Sequence, residues 1–103
     1  MLMDEVTTIE ELTEFITEYR DQEHLDGLDT TQDLIKAIIV HARDLLEADT
    51  FQIVIPKELH KEKLADVLIY SLALADHMGF DVDDIIREKI EYNIKRGRKY
   101  KES

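Results

Sequence analysis

Three glycines and one proline are all that interrupt these 103 residues. A chain with so few backbone breakers, rich in Leu, Ile, Ala, Glu and Lys, is committed to long helices. Those residues lose little freedom in a helix, whereas Gly and Pro end one. The length sets a single small domain spanning 1–103, and a hydrophobic share of 44% is enough for a packed core. Cysteine is absent, which excludes disulfides and thiolate metal sites and is compatible with a reducing compartment. No apolar run approaches the roughly eighteen residues that span a bilayer. The N-terminus shows no basic segment followed by an apolar stretch. The expectation is a cytoplasmic protein with no membrane partner.

Charge narrows the partners. Lys and Arg number 13 against 24 Asp and Glu, a net charge of −11. Phosphate contacts dominate affinity for duplex nucleic acid and for anionic membranes, so neither is expected as the main partner. The charge is also uneven. Residues 1–34 carry one base, Arg20, and eleven acids, whereas residues 87–103 carry seven bases and three acids. An acidic first helix and a basic last turn, suited to a helix C-terminus, account for this. Attraction of an anion to the basic end is the sharper alternative.

Periodicity predicts four helices, at about 7–21, 31–49, 57–78 and 82–98. Thr7 or Thr8 caps the first, with Glu10 or Glu11 as the reciprocal partner. Its stripe is Ile9, Leu12, Ile16 and Tyr19. Residues 22–31, with Gly27 and several Asp and Thr, read as a loop. The second helix places Leu34, Ile38, His41 and Leu45 on one face, widened by Ile35, Ile39, Ala42 and Leu46. So much apolar surface predicts neighbours on more than one side. Residues 51–55 fit either a short strand or an extended helix end, and Pro56 suits the first turn of the third helix. From Leu64 to Ala75 apolar residues nearly encircle that helix, which makes it central, within one subunit or between subunits. Gly79 ends it. Asp81 caps the fourth helix, whose stripe is Ile85, Ile86, Ile90 and Ile94. The fold expected from these elements is an all-α four-helix bundle or hairpin pair, and the apolar surface of the third helix favours a dimer.

Some polar residues do not belong in such a core. Asp66 lies mid-helix among Leu64, Ala65, Val67, Leu68, Ile69 and Tyr70, where a carboxylate needs a partner or a metal. His41 lies near the centre of the second helix's apolar face, with Asp44 one turn later, so these two form a candidate pair. Carboxylates on facing helices are how bundles build magnesium or manganese sites. A hydrogen-bonded core histidine and an internally satisfied aspartate are the plain alternatives. A phosphotransfer role for His41 is disfavoured, because no window of small residues surrounds it. Lys89, Asn93 and Arg96 share an edge of the fourth helix able to meet a phosphate, or simply water.

The order of these motifs resembles the MazG-like nucleotide pyrophosphohydrolases, of the all-α NTP pyrophosphatase group. The likeness covers residues 31 to 100 and is most specific in KEKLADVLIYSLALADHMGFDVDDIIREKIEYNIKR, residues 61–96. There ADVLIY, LALADHMG and the K-x-x-x-N-x-x-R spacing of Lys89, Asn93 and Arg96 match the family's third and fourth helices. AIIVHARDLLEADTFQ, residues 37–52, resembles the helix that carries E-x-x-E. The resemblance implies a four-helix fold in dimers or tetramers. It also implies a site in which E-x-x-E and E-x-x-D hold Mg2+ (or Mn2+), and cleavage of a (d)NTP to (d)NMP and pyrophosphate. Lys89, Asn93 and Arg96 would hold substrate phosphates.

The chain departs from that pattern. Asp66 matches the final Asp, but Lys63 stands where its partner Glu is expected, and Glu62 is about 100° away around the helix. His41 replaces the first Glu of the other motif, and Asp44 shortens the second. Two of four carboxylates remain. Lys63 is expected to neutralise Asp66 where the family places metal. Two readings stay open. One is a metal-dependent pyrophosphohydrolase with a reduced or rearranged ligand set of Asp44, Asp66, an added His41 and a carboxylate from a neighbouring segment. The other is an inactive nucleotide-binding or protein-interaction member of the same fold.

Overall fold

The computed structural model describes residues 8–22, 30–51 and 57–100. They form four helices, α1 (Ile9–Gln22), α2 (Thr31–Phe51), α3 (Lys57–His77) and α4 (Val82–Tyr100). Among the described residues there is no strand, and the all-α fold is as expected. Phe51 is the last residue of α2. The rest of the segment read as strand or helix end lies outside the described residues, as do Thr7 and residues 23–29.

Each boundary has a local cause. Thr8 closes a capping box on α1: its hydroxyl accepts from the Glu11 amide at 3.0 Å while Glu11 accepts from the Thr8 amide at 3.1 Å. Thr30 and Asp33 repeat the arrangement for α2 at 3.1 Å each way. Asp81 caps α4 by accepting from the Asp84 amide at 3.0 Å. Gly79 ends α3 at φ +76°, with its amide on the Asp76 carbonyl at 3.1 Å and the Phe80 amide on the Ala75 carbonyl at 2.9 Å. This paired bonding satisfies carbonyls that the helix end would leave open. A Cβ at Gly79 would touch nothing within 4 Å, so Gly79→Ala isolates the left-handed backbone strain. It should destabilise the domain by about 1 kcal/mol, read by thermal denaturation.

The helix pair α2–α3 forms the most extensive interface, α1 packs across α3, and α4 rests against α1. Ile16, Leu34 and Ala73 form the buried centre, surrounded by Leu12, Ile69, Tyr70, Leu72 and Leu74. The α1 stripe needs correction. Ile9 and Tyr19 are exposed, and Arg20 takes the inner position four residues after Ile16. The true stripe steps by four through Leu12, Ile16 and Arg20, and a polar headgroup at the last step hid it.

Within one chain α2 is covered mainly by α3, with α1 joining it at Leu34 in the buried centre, while Ile39 and Leu46 stay 59% and 64% exposed. Beyond Leu34, the neighbours expected on more than one side are not supplied by the described residues of this chain. Helix α3 is central through its C-terminal half, where Ala73 and Ala75 are buried, but Leu64 and Leu68 are exposed. On α4 the expected stripe of Ile85, Ile86, Ile90 and Ile94 is exposed throughout.

Candidate functional site

Helices α2 and α3 run antiparallel, so advancing along one means retreating along the other. Three cross-helix pairs follow that count. Asp49 Oδ1 lies 3.3 Å from His60 Nε2, Asp44 Oδ2 lies 3.9 Å from Lys63 Nζ, and His41 Nδ1 lies 3.6 Å from Asp66 Oδ2. Residues 41 and 44, and likewise 63 and 66, are three apart and share a face. The two inner rungs therefore make a quartet in which acids and bases occupy opposite corners. Its side chains are withdrawn from water to differing degrees. Those of Lys63 and Asp44 are 30% and 32% exposed, and those of His41 and Asp66 are 24% and 40%.

His41 is the least satisfied member. Its Nδ1 is buried with no hydrogen-bond partner, since 3.6 Å to Asp66 is beyond bonding distance. Its ring stacks on Tyr70, with centroids 5.2 Å apart and planes inclined by 18°. The Arg20 guanidinium also lies against Tyr70, 5.4 Å from the ring centroid, so α1 joins the cluster through a cation–π contact. Arg20 is 6% exposed. Sequence reasoning missed its place here. The available signal was its position four residues beyond Ile16, as the lone base of residues 1–34.

Two expected pairings change. His41 does not turn along its own helix to Asp44, and Lys63 does not reach Asp66; each crosses to the other helix instead. The antiparallel count explains both, because residue 63 comes level with 44 and residue 66 with 41. The expected ligands also stay apart. His41, Asp44 and Asp66 do not bring three ligand atoms within 4.8 Å of one another among the described residues. A hard divalent cation takes about six oxygens. Two carboxylates, one of them facing an ammonium, do not fit that demand.

Three acids do come that close elsewhere, namely the exposed Asp81, Asp83 and Asp84. Their carboxylates already have local work. Asp81 caps α4, and Arg87 donates to Asp83 at 2.7 Å and lies 3.6 Å from Asp84. The Asp83 hydrogen bond and charge hold the Arg87 guanidinium above its ordinary range. This acidic helix start borders a surface cleft of about 560 Å³, lined also by Glu10, Glu14, Asp76 and Phe80.

The α4 trio gathers on itself. Arg96 Nη2 donates to Asn93 Oδ1 at 3.5 Å, and Lys89 and Arg96 lie 4.8 and 5.4 Å from the centroid of Tyr92. All three side chains are exposed. Among the described residues, no hydrogen bond or ion pair connects them to the α2–α3 rungs.

No helix among the described residues is long and apolar enough to cross a membrane. No curated protein matches the chain. The model of the MazG-like family matches residues 2–103, which include both the quartet and the α4 trio, and the chain belongs to the MazG-like family.

Proposed function

We propose that this chain is a nucleoside triphosphate-binding member of the MazG-like family in which metal-dependent cleavage to monophosphate and pyrophosphate is lost. The carrying observation is the Lys63 ammonium 3.9 Å from Asp44, inside the face where the family's layout implies a carboxylate-rich cation site. An ammonium there repels a dication and occupies one of two remaining acids. Lys89, Asn93 and Arg96 supply an exposed cationic edge for phosphate, which guanidinium and ammonium groups bind by charge-assisted hydrogen bonds. The exposed Ile39, Leu46, Leu68 and Ile90 support a homo-oligomer that covers them. A cytoplasmic setting, where nucleotides abound, agrees with the cysteine-free composition.

The reading is tested by calorimetric titration with a panel of ribo- and deoxynucleoside triphosphates, in EDTA and in magnesium. Binding is expected without magnesium, and Arg96→Ala should weaken it about tenfold, the usual loss for one charge-assisted contact of about 1.4 kcal/mol. No binding of any member of the panel contradicts the reading. A residual hydrolase is the second reading, and one observation favours it. The unpartnered His41 Nδ1 beside Asp66 is a free nitrogen donor next to a carboxylate, a set better suited to manganese than to magnesium.

A further inference from the structure

We propose that the Lys63 ammonium is the resident cation of the α2–α3 quartet, supplying internally the positive charge that would otherwise come from a divalent ion and leaving the locus independent of metal. This rests on the reading above that metal-dependent cleavage is lost. Asp44 and Asp66 are partly withdrawn from water on facing helices, separated by one turn. Two carboxylates in one groove repel each other, and a positive charge on the same groove offsets that repulsion. Lys63 lies level with Asp44 and faces it at 3.9 Å, and it shares a face of α3 with Asp66 one turn away, so its charge sits at the Asp44 end of the groove. His60 and Asp49 close the next rung outward. A dication entering here would meet an ammonium and too few oxygens.

The locus is therefore one charge reversal away from the opposite behaviour. Lys63→Glu would set three carboxylates and the His41 ring in the same groove, a set of oxygen and nitrogen ligands for a divalent ion. The test compares wild type, Lys63→Glu and Lys63→Met, each as the full chain, in EDTA and in Mn2+. Thermal unfolding reports stability, and manganese-induced broadening of the His41 and Tyr70 side-chain resonances reports where the ion sits. That second signal separates this locus from Asp81, Asp83 and Asp84.

Wild type should unfold at the same temperature with and without Mn2+, and its His41 and Tyr70 signals should stay sharp. Lys63→Glu should gain at least about 5 °C in saturating Mn2+, with both residues broadened. Lys63→Met removes the charge without adding a ligand, and it should show weaker broadening than Lys63→Glu but more than wild type. It keeps the test decisive if Lys63→Glu does not fold in EDTA. A wild-type stabilisation of that size, with its His41 signals broadened, overturns the proposal. So does the absence of broadening in both variants. Nucleotide titration in EDTA on the same wild-type sample keeps the two readings apart. Failure to bind nucleotide with the manganese pattern intact contradicts the functional reading and leaves the resident cation standing.

Discussion

Leu34→Ala should destabilise the domain by about 3 kcal/mol and lower its unfolding temperature by about 15 °C. Leu34 is 2% exposed and forms the buried centre with Ile16 and Ala73, so one side chain of α2 ties together α1 and α3. Few other residues share that burden, because most large apolar side chains of α2 and α4 face outward. Truncation removes the transfer free energy of the lost methyl groups and leaves a cavity that small Ala73 does not fill. Leu34→Met conserves volume and should cost less than about 1.5 kcal/mol. Chemical denaturation of the pair separates packing from hydrophobicity. Equal losses in both variants would contradict a centre organised around this side chain.

Arg20→Ala is the second large effect, expected at about 2 kcal/mol. The guanidinium lies over Tyr70, and its aliphatic stem occupies an inner position of α1, so truncation removes both packing and a desolvated cation–π contact. Arg20→Lys keeps the charge but loses the planar group that stacks on a ring, and it should recover only part of the loss. The near-UV circular dichroism of tyrosine should fall in Arg20→Ala, since Tyr70 then loses one of the two groups against its ring. A loss below about 0.5 kcal/mol, typical of an exposed substitution, would contradict the burial of this arginine.

Much of the fold was legible because local signals and global packing agree. Thr8, Gly79 and Asp81 announce helix ends by chemistry that acts within a few residues, and all three do so in the structure. Periodicity found Ile16 and Leu34 for the same reason. It failed at Tyr19 and Arg20, where a residue's headgroup misrepresents its stem: the arginine turns inward onto a ring that belongs to α3. The candidate site shows the same division. Spacing placed His41 with Asp44 and Lys63 with Asp66 on shared faces. Which acid meets which base depends on the register between α2 and α3, a non-local quantity no helical wheel contains. That register sends Lys63 to Asp44 and His41 to Asp66.

The α4 trio marks a different limit. Lys89, Asn93 and Arg96 were identified by their order, and the structure brings them together beside Tyr92. Their relation to the quartet is not local, and among the described residues no hydrogen bond or ion pair joins the two. The exposed apolar stripe of α4 and the exposed Ile39, Leu46 and Leu68 of α2 and α3 carry the proposal that further copies complete the assembly.

The central claim is that Lys63 has displaced metal chemistry from the α2–α3 groove. Its most direct test is pyrophosphate release from a panel of ribo- and deoxynucleoside triphosphates, with magnesium or manganese present, compared between wild type and Asp66→Ala. We predict that wild type releases no more pyrophosphate than Asp66→Ala for every nucleotide. Release by wild type that disappears in Asp66→Ala would contradict the claim, because the groove would then still be catalysing cleavage with Lys63 in place.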